Sequence, residues 1–178
     1  HDLLLHVCLA ANHEGNSIKT HYPQYQEKYV NSGSTICTVL ARSFADIGDI
    51  VRGRDLYIRN NKKDKLEENL KTIFEKIKGN NNSTLKDLPL DAVREYWWDA
   101  NRATVWKALT CDAHEGDTYF RATCSDRNGG CSQAHEKCRC PKTSGAKGGK
   151  GSGDGDVNIV PTYFDYVPQY LRWFEEWA

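Results

Sequence analysis

LDAVREYWWDANRATVWKALT, residues 90–110, carries large apolar side chains on more than one face of a helix. Trp97 and Trp98 are adjacent, and Trp106 and Leu109 continue the apolar pattern at helical spacing. A helix that is apolar on several faces must be covered by neighbours on several sides. This segment is therefore predicted to be a helix sandwiched between other helices.

A second helix is predicted between Ser34 and Gly53. Ser34 is a suitable N-cap, and the apolar residues that follow recur at spacings of three and four up to Val51. Residues 62–78 repeat the pattern, with Glu67 and Lys71 expected to pair on the opposite surface and Gly79 expected to end the helix.

The N-terminal part is predicted to be broken. Residues 3–11 place apolar side chains on one helical stripe, Gly15 is expected to end that helix, and Pro23 is expected to interrupt any continuation. No alternating pattern of a β-strand extends beyond a few residues. The chain is therefore predicted to be all-α, a disulfide-stapled helical bundle with long irregular loops.

The cysteines indicate covalent stapling. Five of the seven cysteines fall between Cys111 and Cys140, in a turn-rich segment with little apolar periodicity. Such a cluster fits either disulfides or a metal site, and the spacing fits zinc poorly because only Cys111 and His114 form a suitable pair. Disulfides are favoured, which indicates an oxidising, extracellular setting, and the odd count leaves at least one cysteine free or paired outside the chain. The candidates are Cys8, Cys37, Cys111, Cys124, Cys131, Cys138 and Cys140.

The charge pattern is informative locally rather than globally. Lys+Arg and Asp+Glu both number 24 in the 178 residues, so no overall field points to nucleic acid or lipid. Residues 51–80 nevertheless hold nine bases against five acids, and residues 137–150 hold five bases and no acid. Such surfaces could attract sulfated glycans, although ordinary solvated helix faces remain the alternative. The candidate contacts are Arg52, Arg54, Arg59, Lys62, Lys63, Lys65, Lys142, Lys147 and Lys150.

Enzymatic chemistry is not indicated by the sequence. Asp91, Glu95 and Asp99 are spaced four apart and share a helix face, which is more typical of an ion-paired surface than of a catalytic carboxylate pair. Cysteines at this density are more often oxidised than catalytic. We expect no enzyme activity, no cofactor and no metal.

Several blocks together resemble a known family. ARSFADIGDIVRGRDLY (41–57), REYWWDANRATVWKALTC (94–111), KCRC (137–140) and VPTYFDYVPQYLRWFEEWA (160–178) are similar to the Duffy-binding-like domain, α class, of the variant erythrocyte membrane protein 1 adhesins of Plasmodium falciparum. The blocks occur in the family's order along almost the whole chain.

The resemblance implies an extracellular adhesion module displayed on the infected erythrocyte by a membrane protein. Residues 1–178 would be part of a single domain, its central helix-bundle subdomain, with the N- and C-terminal parts outside this chain. The implied partners are red-cell glycans of the heparan-sulfate or blood-group type, complement receptor, an adjacent cysteine-rich interdomain region, and host antibodies. Alternatively, the domain is an antigenically variable platform for a neighbouring domain that binds an endothelial receptor. Residues 141–156 would be a flexible, variable loop.

The pairing of the cysteines remains open at this level. Bridges within residues 111–140 are favoured, with Cys8 and Cys37 joined to each other or to segments outside the chain.

Overall fold

A computed structural model gives the fold of the chain. It describes residues 2–28, 35–56, 61–80, 85–115, 117, 119, 124–125, 131–134, 137–140 and 160–172. Four helices are present in this part: α1 (Asp2–Lys28), α2 (Ile36–Arg52), α3 (Asn61–Asn80) and α4 (Leu90–Leu109). No helix in the described ranges combines the length and apolarity needed to cross a bilayer.

Short elements follow the four helices. Strands β1 (Cys124–Ser125) and β2 (Cys131–Ser132) pair antiparallel, and two 3-10 turns cover Phe164–Tyr166 and Gln169–Leu171. The prediction of an all-α, disulfide-stapled bundle is confirmed. We call residues 160–172 the C-terminal segment.

The helix α4 lies at the centre of the bundle and packs against α1, α2 and α3. Phe44 of α2 lies between two tryptophans of α4. The centroid of its ring is 5.1 Å from that of Trp98 and 5.1 Å from that of Trp106. On another face, Trp97 meets Phe74 of α3 edge-on at 5.8 Å. The predicted sandwich is therefore confirmed.

The predicted break in the N-terminal part is wrong, because α1 continues through Gly15 and Pro23. A Cβ atom at Gly15 would lie 2.0 Å from the carbonyl oxygen of Leu109. This glycine therefore allows close approach of α1 to α4 instead of ending a helix. Pro23 removes one backbone hydrogen-bond donor, and the helix accommodates that loss.

The ends of α2 follow local sequence signals. Its N-cap is Thr35, whose hydroxyl accepts a hydrogen bond from the backbone N–H of Thr38 at 3.3 Å. The predicted cap Ser34 lies outside the described residues. The helix ends at Gly53, as predicted, and the structure places this glycine in the left-handed region with φ of 74°. In α3, the helix passes the predicted stop Gly79 by one residue.

The disulfides correct part of the predicted pairing. Cys124–Cys140 lies within the cysteine-rich segment, as favoured from the sequence. Cys37, however, bridges to Cys138 rather than to Cys8 or a segment outside the chain. Cys37 is fully buried on the first turn of α2, where only a cysteine brought in by the fold can reach it.

The two bridges close loops of very different size. The separations are 101 residues for Cys37–Cys138 and 16 residues for Cys124–Cys140. A disulfide stabilises the folded state because it lowers the conformational entropy of the unfolded chain. The gain is about 4.7 kcal/mol for a loop of ~100 residues and about 3 kcal/mol for a loop of ~15 residues. Cys8 and Cys111 are free thiols, and the side chain of Cys131 lies outside the described residues. Burial raises the pKa of the Cys8 thiol.

Candidate functional site

Charged residues in the interior fix the C-terminal segment to α4. The carboxylate of Asp165 has no exposed side-chain area and accepts two hydrogen bonds from Arg102, both at 2.8 Å. The indole N–H of Trp98 donates to the same carboxylate at 2.9 Å. A planar guanidinium matches a carboxylate in this two-point geometry, which makes the pair directional as well as attractive.

A second group of charges fixes the C-terminal segment to α2. Arg172 forms an ion pair with Asp46 at 2.8 Å and donates a hydrogen bond to Asp49. Arg52 binds the other oxygen of Asp49 at 3.1 Å and donates to the backbone carbonyl of Asp165. We call these residues and the Arg102–Asp165 pair the ionic junction.

The predicted role of Arg52 as a surface contact for glycans is wrong. Only 1% of its side chain is exposed, and its remaining amino group lies 3.6 Å from the carboxylate of Glu95. A cation that is buried and paired with internal groups cannot contact a ligand at the surface. Arg54 differs, because 57% of its side chain is exposed even though it pairs with Glu95 at 2.7 Å.

The pKa values of two carboxyl groups of the junction, those of Asp49 and Asp46, are shifted by their surroundings. Burial raises the pKa of Asp49, and the neighbouring Arg172 and Arg52 oppose that rise. The pKa of Asp46 is also raised by burial, against the effect of Arg172. Each carboxylate is held by a guanidinium, so the arrangement docks one segment onto another and leaves no carboxylate free to act as a base.

Arg94 of α4 makes a similar contact, which connects α4 both to α3 and to the end of α2. The guanidinium of Arg94 makes two hydrogen bonds to Glu67, at 2.7 and 3.0 Å, and donates to the carbonyls of Val51 and Ile50. The prediction that Glu67 lies on the surface opposite the core is therefore wrong. It forms part of the seam between α3 and α4.

The exposed side of α3 carries two of the predicted basic contacts, Lys62 and Lys65, together with Lys76, which was not among them. Lys62, Lys65 and Lys76 are exposed, and helical spacing places them along one line with Asn69, away from the buried Leu70 and Phe74. This line, the basic flank of α3, extends over about 21 Å at 1.5 Å per residue. Asp64, Glu68 and Glu75 lie on the neighbouring flank.

The remaining candidate contacts are not among the residues or side chains that the structure describes. Arg59, Lys142, Lys147 and Lys150 lie outside the described residues, as do residues 141–156, which stay a predicted variable loop. Lys63 belongs to α3, but its side chain lies outside them as well. Within the described ranges, no three His, Cys, Asp or Glu side chains are arranged to hold a metal ion.

Sequence reasoning missed the ionic junction, although one signal was present. Arg102 lies midway between Trp98 and Trp106, at spacings of four, and so shares their buried face. A charge on such a face requires an internal partner. The partner Asp165 is 63 residues away, and nothing local indicates it.

Comparison with known proteins places the chain in a family. A model of the Duffy binding domain matches residues 1–172. The chain belongs to the Duffy-binding domain family. No curated protein sequence matches it at a significant level.

One solved structure similar to this Duffy-binding domain is the PfEMP1 IT4var13 DBLbeta domain bound to ICAM-1. The identity is 28% and the TM-score 0.60, with 99% of this chain and 37% of the matched chain covered. The domain is therefore a Duffy-binding-like domain of the PfEMP1 type, similar to a domain whose structure was solved bound to ICAM-1. The matched structure carries a β-class domain, so the α class remains a prediction.

Proposed function

We propose that this Duffy-binding domain is a non-enzymatic adhesion module of the α class that binds red-cell surface glycans through the basic flank of α3. It would be displayed outside the infected erythrocyte and vary antigenically. The observation that carries the proposal is the line formed by Lys62, Lys65 and Lys76 on a helix whose apolar side is fixed in the core. The similarity to a domain bound to a host receptor supports an adhesive role.

A row of exposed lysines suits a flexible, sulfated ligand. Each lysine is a compact point charge with rotatable donors, so it can follow a polyanion without a fixed geometry. Exposed ion pairs contribute about 0.2–1 kcal/mol each, so one copy binds weakly and many copies on a cell bind firmly. Heparan-sulfate-like chains fit this chemistry best, and blood-group sugars or complement receptor are the other red-cell ligands we consider.

Among the other predicted contacts, Arg54 is exposed enough to extend the site, although its guanidinium also forms an ion pair with Glu95. Arg59, Lys63, Lys142, Lys147 and Lys150 stay in the proposal on charge alone. An adjacent cysteine-rich interdomain region and host antibodies complete the proposed partners.

The test is retention on heparin at increasing salt. Reversing the basic flank (Lys62→Glu, Lys65→Glu and Lys76→Glu) should weaken binding about tenfold or more, because three contacts of about 0.5 kcal/mol are lost and repulsion is added. Wild-type binding should also fall steeply above about 0.15 M salt, where exposed charges are screened over about 8 Å.

A matched control separates the flank from net charge. Lys19→Glu, Lys71→Glu and Lys86→Glu change the net charge equally but lie off the flank. This control should keep most of the heparin binding. Equal losses in the two triple variants, or binding that is insensitive to salt, would remove the flank from the site.

The alternative is a structural platform that supports a neighbouring receptor-binding domain. It is favoured by the ionic junction and the disulfides, which fix the scaffold mainly through buried groups. If the complete domain bound neither heparin nor red cells, while the neighbouring domain bound its receptor, the platform would be the better account.

A further inference from the structure

The guanidinium of Arg52 has one donor group that is not satisfied. Its Nε donates to the carbonyl of Gly48 at 3.0 Å, and its Nη2 binds Asp49 and the carbonyl of Asp165. Its Nη1 is buried and is the only buried side-chain nitrogen or oxygen of the described residues that makes no hydrogen bond. A buried donor without an acceptor costs free energy, so this group favours any acceptor that can move to it.

The carboxylate of Glu95 lies near this donor but is held by a second cation. Its Oε2 is 3.6 Å from Nη1 of Arg52, which is within the range of an ion pair but too far for a hydrogen bond. Its Oε1 is 2.7 Å from Nε of Arg54. One carboxylate therefore connects a guanidinium that is 1% exposed with one that is 57% exposed.

The two contacts of Glu95 compete. The outer contact, with Arg54, is weakened by water, whereas a hydrogen bond to the buried Arg52 is less screened. The inner contact, however, requires a carboxylate that is 30% exposed to lose more of its water. Because these effects oppose each other, a change at Arg54 can shift the balance. A movement of about 0.7 Å would bring Oε2 to the usual N–O distance of about 2.9 Å.

The inner end of this chain of contacts is the ionic junction. Arg52 donates to the backbone carbonyl of Asp165 and shares the carboxylate of Asp49 with Arg172. The orientation of its guanidinium therefore affects how the C-terminal segment is held against α2. A hydrogen bond from Nη1 to Glu95 would fix this planar group through all three of its nitrogens.

We propose that Glu95 is a relay between the surface and the ionic junction. An anionic oxygen group that binds Arg54 releases the Glu95 carboxylate, which then closes onto Nη1 of Arg52 and holds the C-terminal segment more firmly. A sulfate ester or a carboxylate suits Arg54, because a guanidinium pairs with such groups in a two-point geometry. The relay is a coupling within the chain, and only the ligand experiment below rests on the proposed glycan site.

The first test removes the outer contact by substitution, without any ligand. Arg54→Gln deletes the charge that holds Glu95 at the surface. Amide hydrogen exchange of residues 160–172, measured by mass spectrometry on the full chain, should slow about threefold relative to the wild type, because a buried donor gains its acceptor. A purely structural surface pair predicts the opposite sign, since its loss loosens the fold.

Two matched variants isolate the relay. Arg54→Lys keeps a cation beside Glu95 and should exchange as the wild type does. Glu95→Gln has nearly the same shape without the charge, so Arg54→Gln should no longer slow exchange in that background. If Glu95→Gln fails to fold, Glu95→Asp replaces it with the same expectation, because its side chain is one methylene shorter.

A fully sulfated heparin disaccharide serves as the ligand in the second test. At saturation it should slow exchange of residues 160–172 in the wild type and have no further effect in Arg54→Gln. Slowing by the substitution, with no effect of the disaccharide, would support the relay and remove Arg54 from the proposed glycan site.

Two results would overturn the proposal. The first is unchanged or faster exchange of residues 160–172 in Arg54→Gln. The second is an equal slowing by Arg54→Gln in the presence and in the absence of the Glu95 carboxylate.

Discussion

Arg102 and Lys65 carry the same formal charge in two helices of one bundle, yet they have opposite surroundings. Arg102 is 6% exposed and gives two hydrogen bonds to a carboxylate that is itself buried. Lys65 projects into solvent from the basic flank of α3. The first is part of the scaffold, and the second is available to a ligand.

The comparison shows why net charge alone misplaces a binding surface. Residues 51–80 are rich in bases, but Arg52, at their start, is neutralised internally by Asp49. The exposed bases of α3 in this stretch are lysines. A guanidinium keeps five donors in a fixed plane and suits interior pairing, whereas an ammonium on a flexible stem suits the surface.

The largest effect on stability is expected when the ionic junction is broken. The substitution Arg102→Met should lower the free energy of unfolding by about 3–5 kcal/mol, because the buried Asp165 carboxylate loses its cationic partner and keeps only the hydrogen bond from Trp98. Chemical denaturation measures this directly. Arg102→Lys should recover only part of the loss, since lysine cannot make the two-point contact. A change below about 1 kcal/mol for Arg102→Met would show that the junction is not an essential part of the scaffold.

A smaller effect concerns the pH dependence of the junction. A carboxyl group whose pKa is higher in the folded than in the unfolded state binds more protons when folded, so its contribution to stability improves as the pH falls. Asp49 has a raised pKa because of burial. The free energy of unfolding of the wild type, minus that of Asp49→Asn, should therefore increase between pH 7 and about 4, the ordinary range of an unfolded carboxyl. Denaturation at several pH values tests the sign, and a decrease would mean that the arginines outweigh burial.

The smallest effect is expected on the basic flank. Lys65→Met should change the free energy of unfolding by no more than about 0.5 kcal/mol, because the side chain has no part in the core. The same denaturation assay that is used for Arg102→Met provides the comparison. A loss of several kcal/mol would show that this lysine, too, belongs to the scaffold.

Much of the fold could be predicted from local pattern. The apolar spacing of α2 and α4 and the end of α2 at Gly53 are properties of neighbours in sequence, and the structure confirms them. Gly15 was misread because a glycine that ends a helix and a glycine that admits another helix look alike in sequence. Contact with Leu109 distinguishes the two cases, and that contact is tertiary.

The candidate site was predicted less completely. Exposure of Lys62 and Lys65 follows from the apolar stripe on the other side of α3, so that part of the prediction agrees with the structure. Arg52 was misplaced because the count of bases carries no information about internal partners.

By itself, the sequence determined the helices, their apolar sides and a Duffy-binding-like identity, because these depend on residues a few positions apart or on ordered blocks of sequence. Only the tertiary structure decided that Cys37 pairs with Cys138 and that Arg102 pairs with Asp165. The physical reason is distance along the chain. A buried thiol or charge is satisfied by whichever group the fold brings to it, and those groups lie 101 and 63 residues away.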